Sequence, residues 1–145
     1  MSRGKKVVKT ISITENQVKK LEEETLDRYP DEACALLLGV YRGEKAVVKE
    51  VRIAKNVNNS STSFTIDPSF VYQVLLEGET EGLEIVGIFH AHPAPPYPSF
   101  SDREGMKLWP VIWLIAQNKP KEVFNLFAFK LEKEEEVEEV IIEVK

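Results

Sequence analysis

The sequence predicts an α/β fold, with a mixed, largely antiparallel sheet flanked by two or three helices in a single domain over residues 1–145. Three observations carry that expectation. Apolar residues make up 43% of the 145, enough for a full hydrophobic core at ordinary domain size. Eight segments of strand length either alternate or run apolar. Two helix-start signals, Thr14…Gln17 and Asp67-Pro68, fall between them.

Val7–Ile13 alternates as a strand does. Thr14-Glu15-Asn16-Gln17 has the form of a capping box, opening a helix that carries Val18, Leu21, Thr25 and Tyr29 about one turn apart until Pro30 closes it. Ala33–Tyr41 is almost wholly apolar, as in a strand covered on both faces. Arg42-Gly43-Glu44 reads as a turn, and Ala46–Ala54 as the returning strand of a hairpin. Lys55–Ser63 is a polar loop and Phe64-Thr65-Ile66 a short strand. Asp67 and Pro68 supply the N-cap and first residue of a helix running to about Gly78. Leu83–Ala91 is the central strand and delivers His90 and His92 at its C-terminal end. Four prolines stiffen the loop Pro93–Phe100, after which Ser101 or Asp102 caps a short helix through Trp109. Val111–Ala116, Val123–Leu131 and Val137–Val144 complete the strands, with no repeat and no linker.

Composition removes several function classes. A net charge of −5 argues against a nucleic-acid binder that works by neutralising phosphates, and the pair Lys5-Lys6 is too short to reverse that. The single cysteine, Cys34, permits no intrachain disulfide, so a reducing cytoplasm is the simplest compartment. No signal peptide is expected and no run reaches the ~18–20 apolar residues of a membrane span. The acidic cluster Glu132–Glu139 reads as a solvated turn and strand flank. Charge rich in Lys and Glu suits a thermophile.

The chemistry concentrates in His90-Ala91-His92-Pro93 and Ser99-Phe100-Ser101-Asp102. These are the only two histidines, and residues i and i+2 of a strand share a face, so both imidazoles can converge on one ion. Two imidazoles and a carboxylate returned by the stiff loop form the donor set of a catalytic zinc site with one position open. A hydrolase also needs a base. Glu32 lies between a helix end and an apolar strand, where a carboxylate has no packing reason to be; on spacing alone Asp31 serves equally well.

Glu32, His90-Ala91-His92-Pro93 and Ser99-x-x-Asp102 together resemble the JAMM, or MPN+, zinc metalloprotease family, whose pattern is a distant Glu, His-[Ser/Thr]-His-Pro, a short loop and Ser-x-x-Asp. The resemblance extends over about residues 10–130 and includes Pro30-x-Glu32-x-Cys34 and Asn56…Phe64-Thr65-Ile66-Asp67-Pro68. It implies that His90, His92 and Asp102 bind Zn2+, that Glu32 is general base and then general acid, and that Ser99 donates a hydrogen bond to the developing oxyanion. Three positions depart from the pattern. Ala91 stands where Ser or Thr is usual, Ala35 replaces a Gly, and six residues rather than seven separate His92 from Ser99; Ser101 would lose the three-residue step to the aspartate. Cys34 reads as a small buried strand residue. Trp113 reads as core, whereas Phe100 and Trp109 are candidates for a substrate groove and Tyr97 for a peptide contact.

The implied activity is hydrolysis of the amide bond after the C-terminal Gly-Gly of a ubiquitin-like modifier protein, with that modifier or its conjugates as partner and no acyl-enzyme. The compact chain, without the long insertions of eukaryotic chain-specific deubiquitinases, resembles archaeal and bacterial members acting on small ubiquitin-like or sulfur-carrier proteins. The modifier's extended tail is expected to add to a sheet edge as a strand, and sheet edges and the apolar loop leave room for a homodimer. The alternatives are a peptidase trimming a sulfur-carrier C-terminus, for example releasing cysteine, and a non-catalytic MPN scaffold, which would lack the metal ligands present here.

Overall fold

The protein is described by a computed structural model covering residues 7–58, 65–93, 95–119 and 121–145. Its elements are β1 (Thr10–Ile13), α1 (Glu15–Arg28), β2 (Ala33–Arg42), β3 (Lys45–Ala54), α2 (Pro68–Glu81), β4 (Glu84–His92), α3 (Phe100–Leu108), β5 (Ile112–Gln117), β6 (Leu126–Leu131) and β7 (Val137–Val144), with a 3-10 turn at Lys133–Glu135. The expectations on Lys5-Lys6, on Phe64 and on residues 59–63 of the polar loop lie outside the described residues. No described helix is long and apolar enough to cross a membrane.

The expected sheet does not lie open between helices. The strands close into a barrel in the order β1-β3-β2-β4-β5-β6-β7. Closure rests on the shortest strand: β1 pairs in parallel with β3 (Thr10↔Lys45) and with β7 (Thr10↔Ile141), joining the two ends of the sheet. β4–β5 is parallel as well, so antiparallel pairing covers only β2–β3, β2–β4, β5–β6 and β6–β7. Periodicity reports that a segment is a strand, not which strands it joins. A closed barrel has no wholly unpaired outer strand, although β1 pairs with β3 only from Lys45 to Val47.

The three long helices begin where side chains can cap them. Thr14 and Gln17 form the anticipated capping box on α1, and Asp67 accepts from the Ser69 N–H at the start of α2. α2 runs on to Glu81 rather than stopping at Gly78, and ends where Gly82 adopts φ 73°, a left-handed cap. Inside the barrel, Ile11, Ala35, Leu37, Val48, Phe89, Ala91 and Leu114 pack together and take in Leu21 of α1. A second cluster on the outside seats Val71 and Val74 of α2 and Met106 of α3 against Leu36, Ile88, Trp113 and Phe129.

Two register shifts set which side chains face outward. Leu37 opposes Gly87 but Leu38 opposes Ile85, so Val86 is an extra residue in β4. Such a bulge reverses the alternation beyond it. Ile85 packs outside, Val86, Phe89 and Ala91 inside, and Ile88 outside; His90 and His92 follow Ile88. Without the bulge, Ile85's face would continue through Phe89 and Ala91. In the hairpin partner, pairing jumps from Leu38↔Glu50 to Gly39↔Val48. A Cβ on Gly39 would stand 1.9 Å from the Val47 carbonyl oxygen, so only glycine fits there.

Candidate metal centre

His90 and His92 leave the C-terminal end of β4 on the barrel's outer face, and α3 brings Asp102 over them. His90 Nε2 lies 3.1 Å from Asp102 Oδ1, and His92 Nε2 lies 3.7 Å from Asp102 Oδ2. The imidazole centroids are 4.9 Å apart, and Trp113 stands edge-on to His90 at 5.9 Å. All three residues are buried, with one ligand atom from each within 4.8 Å of the others. Two donors about 2.0–2.1 Å from a tetrahedral ion stand about 3.4 Å apart. The contacts of 3.1 and 3.7 Å bracket that separation, so the donors and their spacing fit a metal ion.

A cap fixes Asp102. Ser99, rather than Ser101 or Asp102, is the N-cap of α3: its Oγ accepts from the Asp102 N–H at 3.0 Å, while Asp102 Oδ2 accepts from the Ser99 N–H at 2.9 Å. The same carboxylate therefore closes a capping box and faces both imidazoles. Burial opposes its charged form, but hydrogen bonds from His90 and His92, the His90 charge and the Ser99 N–H hold it well below the usual carboxylate range. Burial likewise opposes the His90 imidazolium; Asp102 and Glu32 outweigh it and raise the His90 pKa.

Glu32, 2% exposed at the threshold of β2, is the carboxylate that reaches the site. The His90 ring nitrogen Nδ1 hydrogen-bonds Glu32 Oε1 at 3.2 Å. That leaves Nε2 on the side of Asp102, the orientation a metal-ligating histidine takes when a carboxylate holds its other nitrogen. Asp31, its equal on spacing, is part-exposed and hydrogen-bonds through its N–H to the Arg28 carbonyl. Cys34 is buried one position past Ala33, and burial above all pushes its thiol up to about 12.

The Ser99 side chain, though engaged as acceptor, keeps its O–H proton to donate. Phe100 is 73% exposed, and Tyr97 packs edge-on to Phe129 at 5.3 Å. Trp113 belongs to the outer core, as expected, while Trp109 joins it in lining an apolar cleft between α2 and α3 that ends at Asp102. Reading the sequence missed the opposite wall, formed by Val71, Tyr72 and Leu75 of α2. Its signal was present: Phe70, Val71, Tyr72, Val74, Leu75 and Leu76 are more apolar than one buried stripe needs, and Tyr72 remains 64% exposed.

Comparison with known proteins agrees with this geometry. Residues 14–132 match the family of prokaryotic homologs of the JAB domain. A Pyrococcus furiosus protein named desampylase is 51% identical over 89 residues, a match covering 61% of each protein; the chain thus spans 61% of that relative's length. Among solved structures, one from Desulfitobacterium hafniense superimposes with a TM-score of 0.81 at 28% identity, covering 93% of this chain and 92% of that one. One from Salinibacter ruber, at 23% identity, shares the fold with a TM-score of 0.70 over 95% and 92% of the two chains. A family match over most of the barrel, together with two histidines and an aspartate gathered where β4 meets α3, makes this chain a member of the prokaryotic JAB-domain family, of JAMM type.

Proposed function

We propose that the protein is a zinc-dependent isopeptidase that cleaves the amide bond after the C-terminal Gly-Gly of a ubiquitin-like modifier. The observation that carries this reading is a buried carboxylate, Glu32, beside a compact His90-His92-Asp102 donor set at the end of an apolar cleft. His90 and His92 through Nε2, and Asp102 through its carboxylate, would hold the ion. Zinc at that point supplies Lewis acidity toward a water and the scissile carbonyl. Glu32 receives the proton of the attacking water, its second oxygen being available beyond the His90 bond, and returns it to the leaving amine nitrogen. Ser99 donates its hydroxyl proton to the oxygen on which charge develops. The cleft walls of α2 and α3 exclude water from the approaching chain.

The name of the Pyrococcus relative supports a ubiquitin-like modifier as the substrate. Cleavage of a modifier–lysine conjugate, with and without chelator and beside Glu32→Ala, tests the reading. Chelation and Glu32→Ala should each abolish turnover, the variant retaining one equivalent of zinc by elemental analysis. Cleavage at the wild-type rate by Glu32→Ala removes the base, and a protein purified without zinc removes the reading. A carrier–cysteine adduct run in parallel separates isopeptide cleavage from C-terminal trimming.

A further inference from the structure

Beyond the last paired residues of β2, the strand registers bring a row of polar side chains together. Cys34↔Ala54 places Asn56 opposite Glu32, and Cys34↔His90 places His92 opposite Glu32 on its other side. Glu32 lies one residue outside β2 and Asn56 two beyond β3. There the Asn56 side chain takes over from the ladder: its Nδ2–H donates to the Glu32 carbonyl oxygen at 3.2 Å. Its Oδ1 accepts from the Asn58 N–H at 3.0 Å and the Thr65 N–H at 3.1 Å. Asn56 is 5% exposed and forms an isolated bridge with Ile66, while Val57 N–H reaches the Thr65 carbonyl at 2.9 Å.

A buried amide that meets at least three hydrogen-bond partners from three stretches of chain is a costly feature unless its geometry is satisfied. Its partners here have different roles. One is the backbone of the carboxylate on His90; another, Thr65, lines the cleft with Ile66 and so forms the wall a substrate would touch. We propose that Asn56 is a positioning residue, whose carboxamide locks the main chain of Glu32 to the cleft wall and thereby holds the Glu32 carboxylate at its working distance. This rests on the amide-hydrolase reading above. Glu32 stands one residue outside β2; the His90 ring nitrogen meets its carboxylate, and the Asn56 carboxamide fixes the main chain from which that carboxylate hangs.

Asn56→Asp and Asn56→Ala separate the two halves of the clamp. Aspartate keeps an oxygen for Asn58 and Thr65 but loses the donor to Glu32; alanine loses both. For Asn56→Asp we expect kcat to fall on the order of 10- to 100-fold, as for a displaced catalytic group, with KM and zinc content near wild type. Two further readouts need no turnover. The Glu32 carbonyl 13C resonance of the zinc-free protein should move upfield in both variants, while amide exchange at Asn58 and Thr65 should accelerate only in Asn56→Ala. An Asn56→Asp protein with wild-type kcat, or one whose loss of kcat comes with lost protection at Thr65, overturns the proposal. If the wild type is active and the variants behave so, positioning alone fails; if the wild type cleaves no conjugate, the hydrolase reading fails and takes positioning with it.

Discussion

Substituting Ser99 by glycine removes the hydroxyl proposed to stabilise the oxyanion while leaving most of the local structure in place. Ser99 is also the N-cap of α3, with Oγ 3.0 Å from the Asp102 N–H. Alanine there would cost about 1 kcal/mol, whereas glycine is a tolerated N-cap and costs only a few tenths. The reciprocal bond, Ser99 N–H to Asp102 Oδ2 at 2.9 Å, uses the main chain and survives both variants. Asp102 therefore stays aimed at the histidines, and zinc content should remain one equivalent. Loss of one oxyanion donor costs about 10²–10³ in kcat, roughly 2.7–4 kcal/mol. Ser99→Gly should thus lose at least about a hundredfold in kcat with little change in Tm, and Ser99→Ala the same kcat with a Tm lower by roughly 2–4 °C. Single-turnover cleavage of a modifier conjugate, read beside thermal melts and metal analysis, gives all three quantities. A Ser99→Gly protein within threefold of wild-type kcat would falsify the oxyanion role and leave Ser99 a cap alone.

Three other outcomes follow from the packing and the site. Removing zinc by chelation should lower Tm, since an ion bound only by the native state at 100-fold over its Kd adds about 2.7 kcal/mol; Asp102→Ala should melt at one temperature with or without zinc, and a zinc-dependent Tm in that variant would refute the ligand set. Gly39→Ala forces a Cβ to 1.9 Å from the Val47 carbonyl and should destabilise by several kcal/mol or prevent folding; a denaturation midpoint equal to wild type would refute the close approach. Burial lifts the Cys34 thiol to about 12, so iodoacetamide at pH 8 should modify the folded protein far more slowly than the denatured chain. The folded state thus keeps this proton where the unfolded chain, with a pKa of about 8.5, releases it, and the thiol's contribution to stability falls as pH rises from about 8.5 toward 12. Equal labelling rates in the two states would contradict that burial.

Much of the centre was legible because its residues are close in sequence. His90 and His92 share a face through strand alternation alone, and Ser99-x-x-Asp102 is a helix-start spacing, which explains why one segment carries both a cap and the carboxylate that faces the histidines. Glu32 was different: spacing left Asp31 its equal, and only the resemblance preferred it before the contact with His90 Nδ1 was visible. The cap of α3 was misplaced by two or three residues because Ser99, Ser101 and Asp102 are all good N-caps, and only the reciprocal bonds select Ser99. The far wall of the cleft was hidden in α2, whose excess of apolar residues marks an exposed face without saying what lies across from it.

By itself the sequence determined the segments, their caps and the donor types, because strand alternation, helix capping and ligand chemistry act over a few neighbouring residues. Tertiary structure alone decided three things. β1 closes the barrel by pairing with both β3 and β7; the extra Val86 turns His90 and His92 to the outer face; and the register of β2 between β3 and β4 sets Glu32 between Asn56 and His92. Each depends on hydrogen bonds between strands far apart in the chain, and pairing of that kind is chosen by the packing of the whole barrel.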